Sequence, residues 1–189
     1  MGCGEMSAPE FISFLTQVLR RVAEYSIDGA LHYICMDWRH LSEVLSAGAQ
    51  VYAELKNICV WVKNHTGMGA FYRSRHEFIL VYKHGRATHR NNIQLGKYGR
   101  DRTNVWMYPS PRTPSEEGNL LALHPTVKRV RMVADATLDC TARRYRDRPY
   151  TRKWHHPDRR RAHRSALFWT RARTSLRRYD CSALAGIYR

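Results

Sequence analysis

Glutamate is absent from residues 141–189, a stretch that holds 15 Lys and Arg against 3 Asp and so carries twelve of the chain's sixteen net positive charges. Solvated helices and linkers normally mix Glu with Arg and Lys, so this is not an ordinary charged surface. No window approaches the roughly 18 continuous apolar residues of a membrane span. The opening MGCGEMSAPEF lacks the basic and apolar regions of a signal peptide, and it carries Met6 where a myristoylation signal wants Ser or Thr. A cytoplasmic protein without membrane attachment is expected. The five cysteines, Cys3, Cys35, Cys59, Cys140 and Cys181, are scattered and never spaced as CxxC. That excludes a disulfide frame or a structural zinc site, and leaves reduced packing thiols and no metal.

What is present suits one domain: 189 residues, 43% of them hydrophobic. Residues 9–25 place Phe11, Phe14, Leu15, Val18, Leu19, Val22 and Ala23 at helical spacing behind Ser7 as a cap. Residues 29–37 (GALHYICMD) read as a buried strand, 38–48 return to helical spacing, and 57–64 and 76–85 read as two further strands joined by HTGMGAFYRSR. This order indicates an α/β layer fold, with the last two strands forming an antiparallel pair at the sheet edge. Residues 85–123 show no period and are rich in Arg, Asn, Gly, Tyr and Pro, as functional loops often are. A helix is expected over HPTVKRVRMVADATLDC, opening at its proline and burying Val127, Val130, Val133, Ala134 and Leu138.

The ordered series WVKN-HTGMGAFYRSRHEFILVYKHG, RNNIQLGKYGRDRTNVWMYP and EEGNLLALHPTVK resembles the DNA modification methylases that act on adenine N6 or cytosine N4. The likeness is to the subgroup with the catalytic motif first, the recognition segment in the middle and the cofactor motif last. It covers about residues 1–142, with residues 85–123 as the recognition segment. The resemblance implies a Rossmann-like fold, S-adenosylmethionine as cofactor and double-stranded DNA as partner. Such enzymes extrude the base, stack it and accept hydrogen bonds from its amine, because that nitrogen's lone pair is delocalised into the ring.

Two expected motifs are missing. No D/N/S-P-P-Y/F/W acceptor motif is present in context, since Asp147-Arg148-Pro149-Tyr150 lies on the wrong side of the recognition segment. No catalytic residue is therefore assigned, and the start of the chain reads as truncated. The glycine turn that should follow LDCTAR is replaced by RYRDRPYTRKWHHPDRRR. Back-translation from about Arg143, read one nucleotide later, can give GDIVIDPTLGSGTTLIAAERTG. Its D, G, S/N, G, T and T are all permitted by Arg148, Arg152, Lys153, Trp154, His155 and His156. The expectation is an incomplete Rossmann-like methyltransferase fold over residues 1–142, with antiparallel edge strands, followed by an irregular, basic, out-of-frame tail over 143–189.

By the same resemblance His124, Thr126 and Lys128 of H-P-T-x-K hold the cofactor, although Arg129 stands where the family has proline. Arg73 and His76, beside Glu77, either line the DNA cleft or form a charged hairpin at a sheet edge. Arg100, Arg102, Asn104 and Trp106 suit base edges and phosphates, with a solvated loop as the alternative. Asp37 and Trp38, ending a buried strand, either form the base pocket or cap the next helix. On charge alone the tail is a sequence-independent phosphate binder, with Trp154, Phe168, Trp169 and Tyr179 available for stacking.

Overall fold

The computed structural model describes residues 6–69, 71–113 and 127–141. Helix α1, Ala8–Glu24, begins at Ser7, whose backbone N–H and hydroxyl both donate to the Glu10 carboxylate at 2.7 Å. Pro9 occupies the first turn, where its missing N–H costs nothing. Steps of three and four residues align Phe11, Leu15, Leu19, Val22 and Ala23 on one buried stripe.

Strand β1, Leu31–Met36, is buried at all six positions. It is covered on both sides, which is why it reads as a continuous apolar run. Ile34 and Met36 pack with Phe11, Leu15 and Leu19 of α1 and with Val44 and Ala47 of helix α2, Leu41–Ala49. Leu31, Tyr33 and Cys35 face the other way, toward Met132, Ala136 and Cys140. A Cβ on Gly48 would fall 2.3 Å from the Tyr82 ring, so glycine is what lets α2 lie this close to the sheet.

Strands β2, Glu54–Val62, β3, His76–Lys83, and β4, Val105–Met107, complete a mixed sheet in the order β1-β3-β2-β4. Strand β3 runs antiparallel to both neighbours, while β2 and β4 are parallel. The β2–β3 pair is antiparallel as expected, but it does not lie at the edge. Strand β3 sits between β1 and β2, and β4 covers the far side of β2. The strand patterns specify faces and not neighbours, and β3's fully apolar Ile79–Val81 suits its central place.

Two further expectations are corrected. The aperiodic segment contains β4, whose three residues are too few to show a period, and a short helical turn at Lys97–Gly99. The last helix, α3, begins at Val130 and runs to Cys140, with Arg129 and not the proline before it. It buries Met132, Ala136 and Cys140, while Val130 is 57% exposed. Residues 127–129, which spacing had assigned to it, lie outside the helix, Arg129 with extended backbone, and Lys128 and Arg129 are drawn into contacts described below. Cys35, Cys59 and Cys140 are buried free thiols. Among the described residues no helix is long and apolar enough to cross a membrane.

His32 is wholly buried under α1 and α2. The Ser26 hydroxyl donates to the Val22 carbonyl at 2.8 Å, so it accepts from His32 Nε2 at 2.9 Å. Nδ1 then accepts from the Tyr52 hydroxyl at 2.8 Å. This chain of donors holds a neutral imidazole. Burial, reinforced by His84, lowers its pKa from 6.5 to about 4. Because the folded pKa is depressed, the unfolded chain binds the extra proton first as pH falls. Stability from this group is complete above about 6.5 and is lost progressively toward pH 4, by about 3 kcal/mol. Urea unfolding across that range should show the decline, and His32→Gln should remove most of this slope while lowering stability at neutral pH.

Candidate functional site

Open α/β sheets bind ligands beyond the carboxyl ends of their parallel strands. Here the register brings Met36 of β1 opposite Phe78, and Val62 of β2 opposite both His76 and Met107. That end of the sheet therefore gathers Asp37, Trp38, Lys63, Asn64, His76, Glu77 and Tyr108.

Its centre is Glu77, directly opposite Trp61 on the face that α3 covers. Lys63 donates to Glu77 Oε2 at 3.0 Å, and Lys128, 51 residues away in sequence, donates to Oε1. Both ammonium groups lie over the Trp61 ring, 4.5 Å and 5.4 Å from its centroid. Burial alone would raise the Glu77 pKa. Lys128 and then Lys63 overcome it, holding the carboxyl down at about 2. The indole N–H donates to the Tyr108 carbonyl at 2.9 Å, and the Tyr108 hydroxyl donates to Asp135 at 2.7 Å.

Around this cluster the chain after β4 is clipped in place. The buried Arg129 guanidinium donates to the carbonyls of Pro109 at 3.3 Å, Ser110 at 2.6 Å and Thr113. Asn64 Oδ1 accepts from Ser110 N–H at 2.8 Å and from the Thr113 hydroxyl at 3.1 Å. Sequence reasoning missed Arg129 and Asn64. Irregular backbone needing partners was the signal that could have found both.

The expected site residues separate into groups. His76 and Lys128 are at this end of the sheet, but Lys128 is engaged with Glu77, and His76 rests edge-on against Phe78 at 5.1 Å between centroids. Asp37 accepts from Arg39 N–H at 3.0 Å, which is the capping alternative, and Trp38 is 53% exposed beside it. Arg73 is exposed on the loop before β3. His124 and Thr126 lie outside the described residues, as does the tail.

Arg100, Arg102, Asn104 and Trp106 lie on and before β4, across β2 from Glu77, with Trp106 paired to Trp61. Trp106 is only 5% exposed, packed beside Tyr33, and cannot reach a groove from there. Arg102 pairs with Asp139 at 2.6 Å and lies 4.8 Å from the Trp106 ring centroid. Arg100 donates to the Asn92 carbonyl at 3.3 Å, and Asn92 donates through its amide to the carbonyls of Leu138 and Thr141 at 2.7 Å, closing the carboxyl end of α3. The exposed Asn104 accepts from Val60 N–H through its carbonyl at 2.7 Å, holding β4 to β2. Arg102 and Trp106 are thus engaged within the fold, and an arginine or tryptophan in an aperiodic loop looks the same in sequence whether it faces a groove or a helix. Among the described residues no cluster of three His, Cys, Asp or Glu could hold a metal ion.

No family model matches the chain, and no curated protein matches it. Among solved structures it is similar to the crystal structure of M1.HpyAVI, with 17% identity and a TM-score of 0.39, over 57% of this chain and 65% of that one. The match therefore spans less than two thirds of that structure's length.

Glu77→Gln leaves two ammonium groups in the cluster without their carboxylate, and should cost roughly 3 kcal/mol or more. Lys128→Met should cost less, because Lys63 still neutralises Glu77. Urea denaturation of both variants checks the order.

Proposed function

We propose that this chain is a partial DNA amino-methyltransferase: an incomplete Rossmann-like unit of an S-adenosylmethionine-dependent enzyme that modifies adenine N6 or cytosine N4 in double-stranded DNA. The observation that carries this reading is convergence. Trp61 and Lys63 of WVKN, Glu77 of the H-E pair and Lys128 of H-P-T-x-K come from three motifs read separately along the chain. They meet in one ion-paired cluster at the ligand-binding end of the sheet. A fortuitous likeness would scatter motif residues without regard to one another.

The residues present do not fit the cofactor. Of the residues expected to hold it, His124 and Thr126 lie outside the described residues and the Lys128 ammonium is engaged by Glu77. The glycine turn that would let a nucleotide approach the backbone is missing after LDCTAR, where the resemblance puts it. No acceptor motif for the base amine is present either. The chain as written is therefore inactive as a methylase, and its arginine-rich end, about residues 143–189, is the out-of-frame continuation of the cofactor half. Arg73 and His76 remain the DNA-facing pair in this reading.

A second reading has one observation in its favour, the concentration of charge in residues 141–189: a nucleic-acid-binding protein that acts through its tail and not as an enzyme.

Calorimetric titration with S-adenosylmethionine should show no binding in the micromolar range, and a micromolar Kd overturns the inactive assignment. The coding sequence should encode D-P-x-x-G-S-G-T-T in the plus-one frame after about Arg143, and its absence there removes the frame-shift account. Deleting residues 143–189 separates the two readings: DNA affinity that survives unchanged, with its salt dependence, rules out the tail as the binding element.

A further inference from the structure

Residues 91–102 have little regular structure, yet they are fastened to the carboxyl end of α3. The Asn92 side-chain amide donates to the carbonyls of Leu138 and Thr141, both at 2.7 Å, and the Asn92 backbone N–H donates to the Asp139 carbonyl at 3.0 Å. Arg102 pairs with the Asp139 carboxylate at 2.6 Å. The last carbonyls of a helix have no partner within it. Helix α3 supplies none of its own, because extended Thr141 stands where a left-handed glycine would cap it and the last turn holds no basic residue. The cap comes instead from Asn92, 46 residues before Leu138.

Between these fastenings the backbone is strained. Gln94 and Tyr98 have φ of 46° and 56°, which residues other than glycine adopt at a cost, and Gly96 and Gly99 are left-handed as well. The turn closes on itself. Gly96 N–H donates to the Arg100 carbonyl and Lys97 N–H to the Gln94 carbonyl, each at 3.0 Å, and Asn91 Oδ1 accepts from the N–H groups of Ile93 and Gln94 at 3.0 Å and 3.1 Å. The Arg100 guanidinium reaches back to the Asn92 carbonyl at 3.3 Å. Apolar burial does not hold the tip, since Leu95 and Tyr98 are 64% and 77% exposed. Strained backbone persists only where its surroundings hold it, and here the hold is on α3.

We infer that Asn92 and the Arg102–Asp139 pair form a latch between this turn and α3, through which residues 92–100 and the last turn of α3 are ordered together and released together. Each side supplies what the other lacks: the helix end gains donors for its carbonyls, and the turn gains an anchor against its strain. A shift of the chain where it leaves α3 at Thr141 is therefore transmitted to Leu95 and Tyr98. In the methyltransferase reading above, the latch joins the recognition segment to the point where the chain enters the cofactor half. The latch itself rests on the contacts alone, and stands or falls separately from that reading.

Hydrogen exchange of the full chain, followed by mass spectrometry in a series of sub-denaturing urea concentrations, tests it. In the unaltered chain residues 92–100 and 137–141 should exchange through one shared opening, with the same urea dependence and ahead of α1. Different urea dependences overturn the latch, and so does an opening shared with α1, which is global unfolding. Asn92→Ala, made on the turn side, should speed exchange of residues 137–141 by about tenfold. Asp139→Ala, made on the helix side, should speed exchange of residues 92–100 by about the same factor. Alanine is the better helix former, so the second effect does not come from a weakened helix. Exchange in α1 should be unchanged in both variants, which shows that the rest of the fold is retained. An effect confined to the altered side overturns the coupling. If either variant fails to fold, the urea series on the unaltered chain still decides.

Discussion

A carboxylate with almost no access to water has to be neutralised, and the end of this sheet is organised around that requirement at Glu77. Strand β3 carries it inward beside Trp61, β2 supplies Lys63, and the segment before α3 supplies Lys128 from 51 residues away. Removing one partner of such a cluster is costly because the remaining charge stays buried. The ion pairs thus fix where the start of α3 lies on the sheet. They also explain why α3 begins at Val130 and not at the proline favoured by local preference: residues 127–129 stay out of the helix, so that Lys128 reaches Glu77 and Arg129 reaches the chain after β4.

The same economy of polar groups shapes residues 86–113, which have little regular structure to satisfy their own backbone. Arg129 and Asn64 bind the chain after β4, Asn92 closes α3, and Arg102 pairs with Asp139. Arginine and asparagine suit base edges and phosphates, but they suit orphaned carbonyls and buried carboxylates equally well. In this fold the second use takes most of them. The loop between β2 and β3 differs: Phe71, Tyr72 and Arg73 are left in solvent.

Much of the architecture was legible in the sequence. The helical spacing of Phe11 to Ala23, the continuous apolar run of β1 and the β2 and β3 segments all correspond to observed elements, because each must bury a face and so repeats its pattern. Strand β4 was not legible, since three residues are too few for a period. Neither was β3's place between β1 and β2, because a strand pattern states which faces are apolar and says nothing about which strand lies alongside. The candidate site was legible in part. Glu77 and Lys128 were visible in their separate motifs, whereas their contact depends on 51 intervening residues folding back.

The sequence by itself determined the elements that repeat: one amphipathic helix, the buried strands and the charge division near residue 141, each a property of neighbouring residues. Only the tertiary structure decided which charged residues are scaffold and which face solvent. Lys128 and Arg102 are committed to Glu77 and Asp139, while Arg73 is left exposed beside Phe71 and Tyr72. The reason is physical: a lysine or arginine has the same chemistry in either role, and what assigns the role is whether folding brings a buried acceptor within its reach.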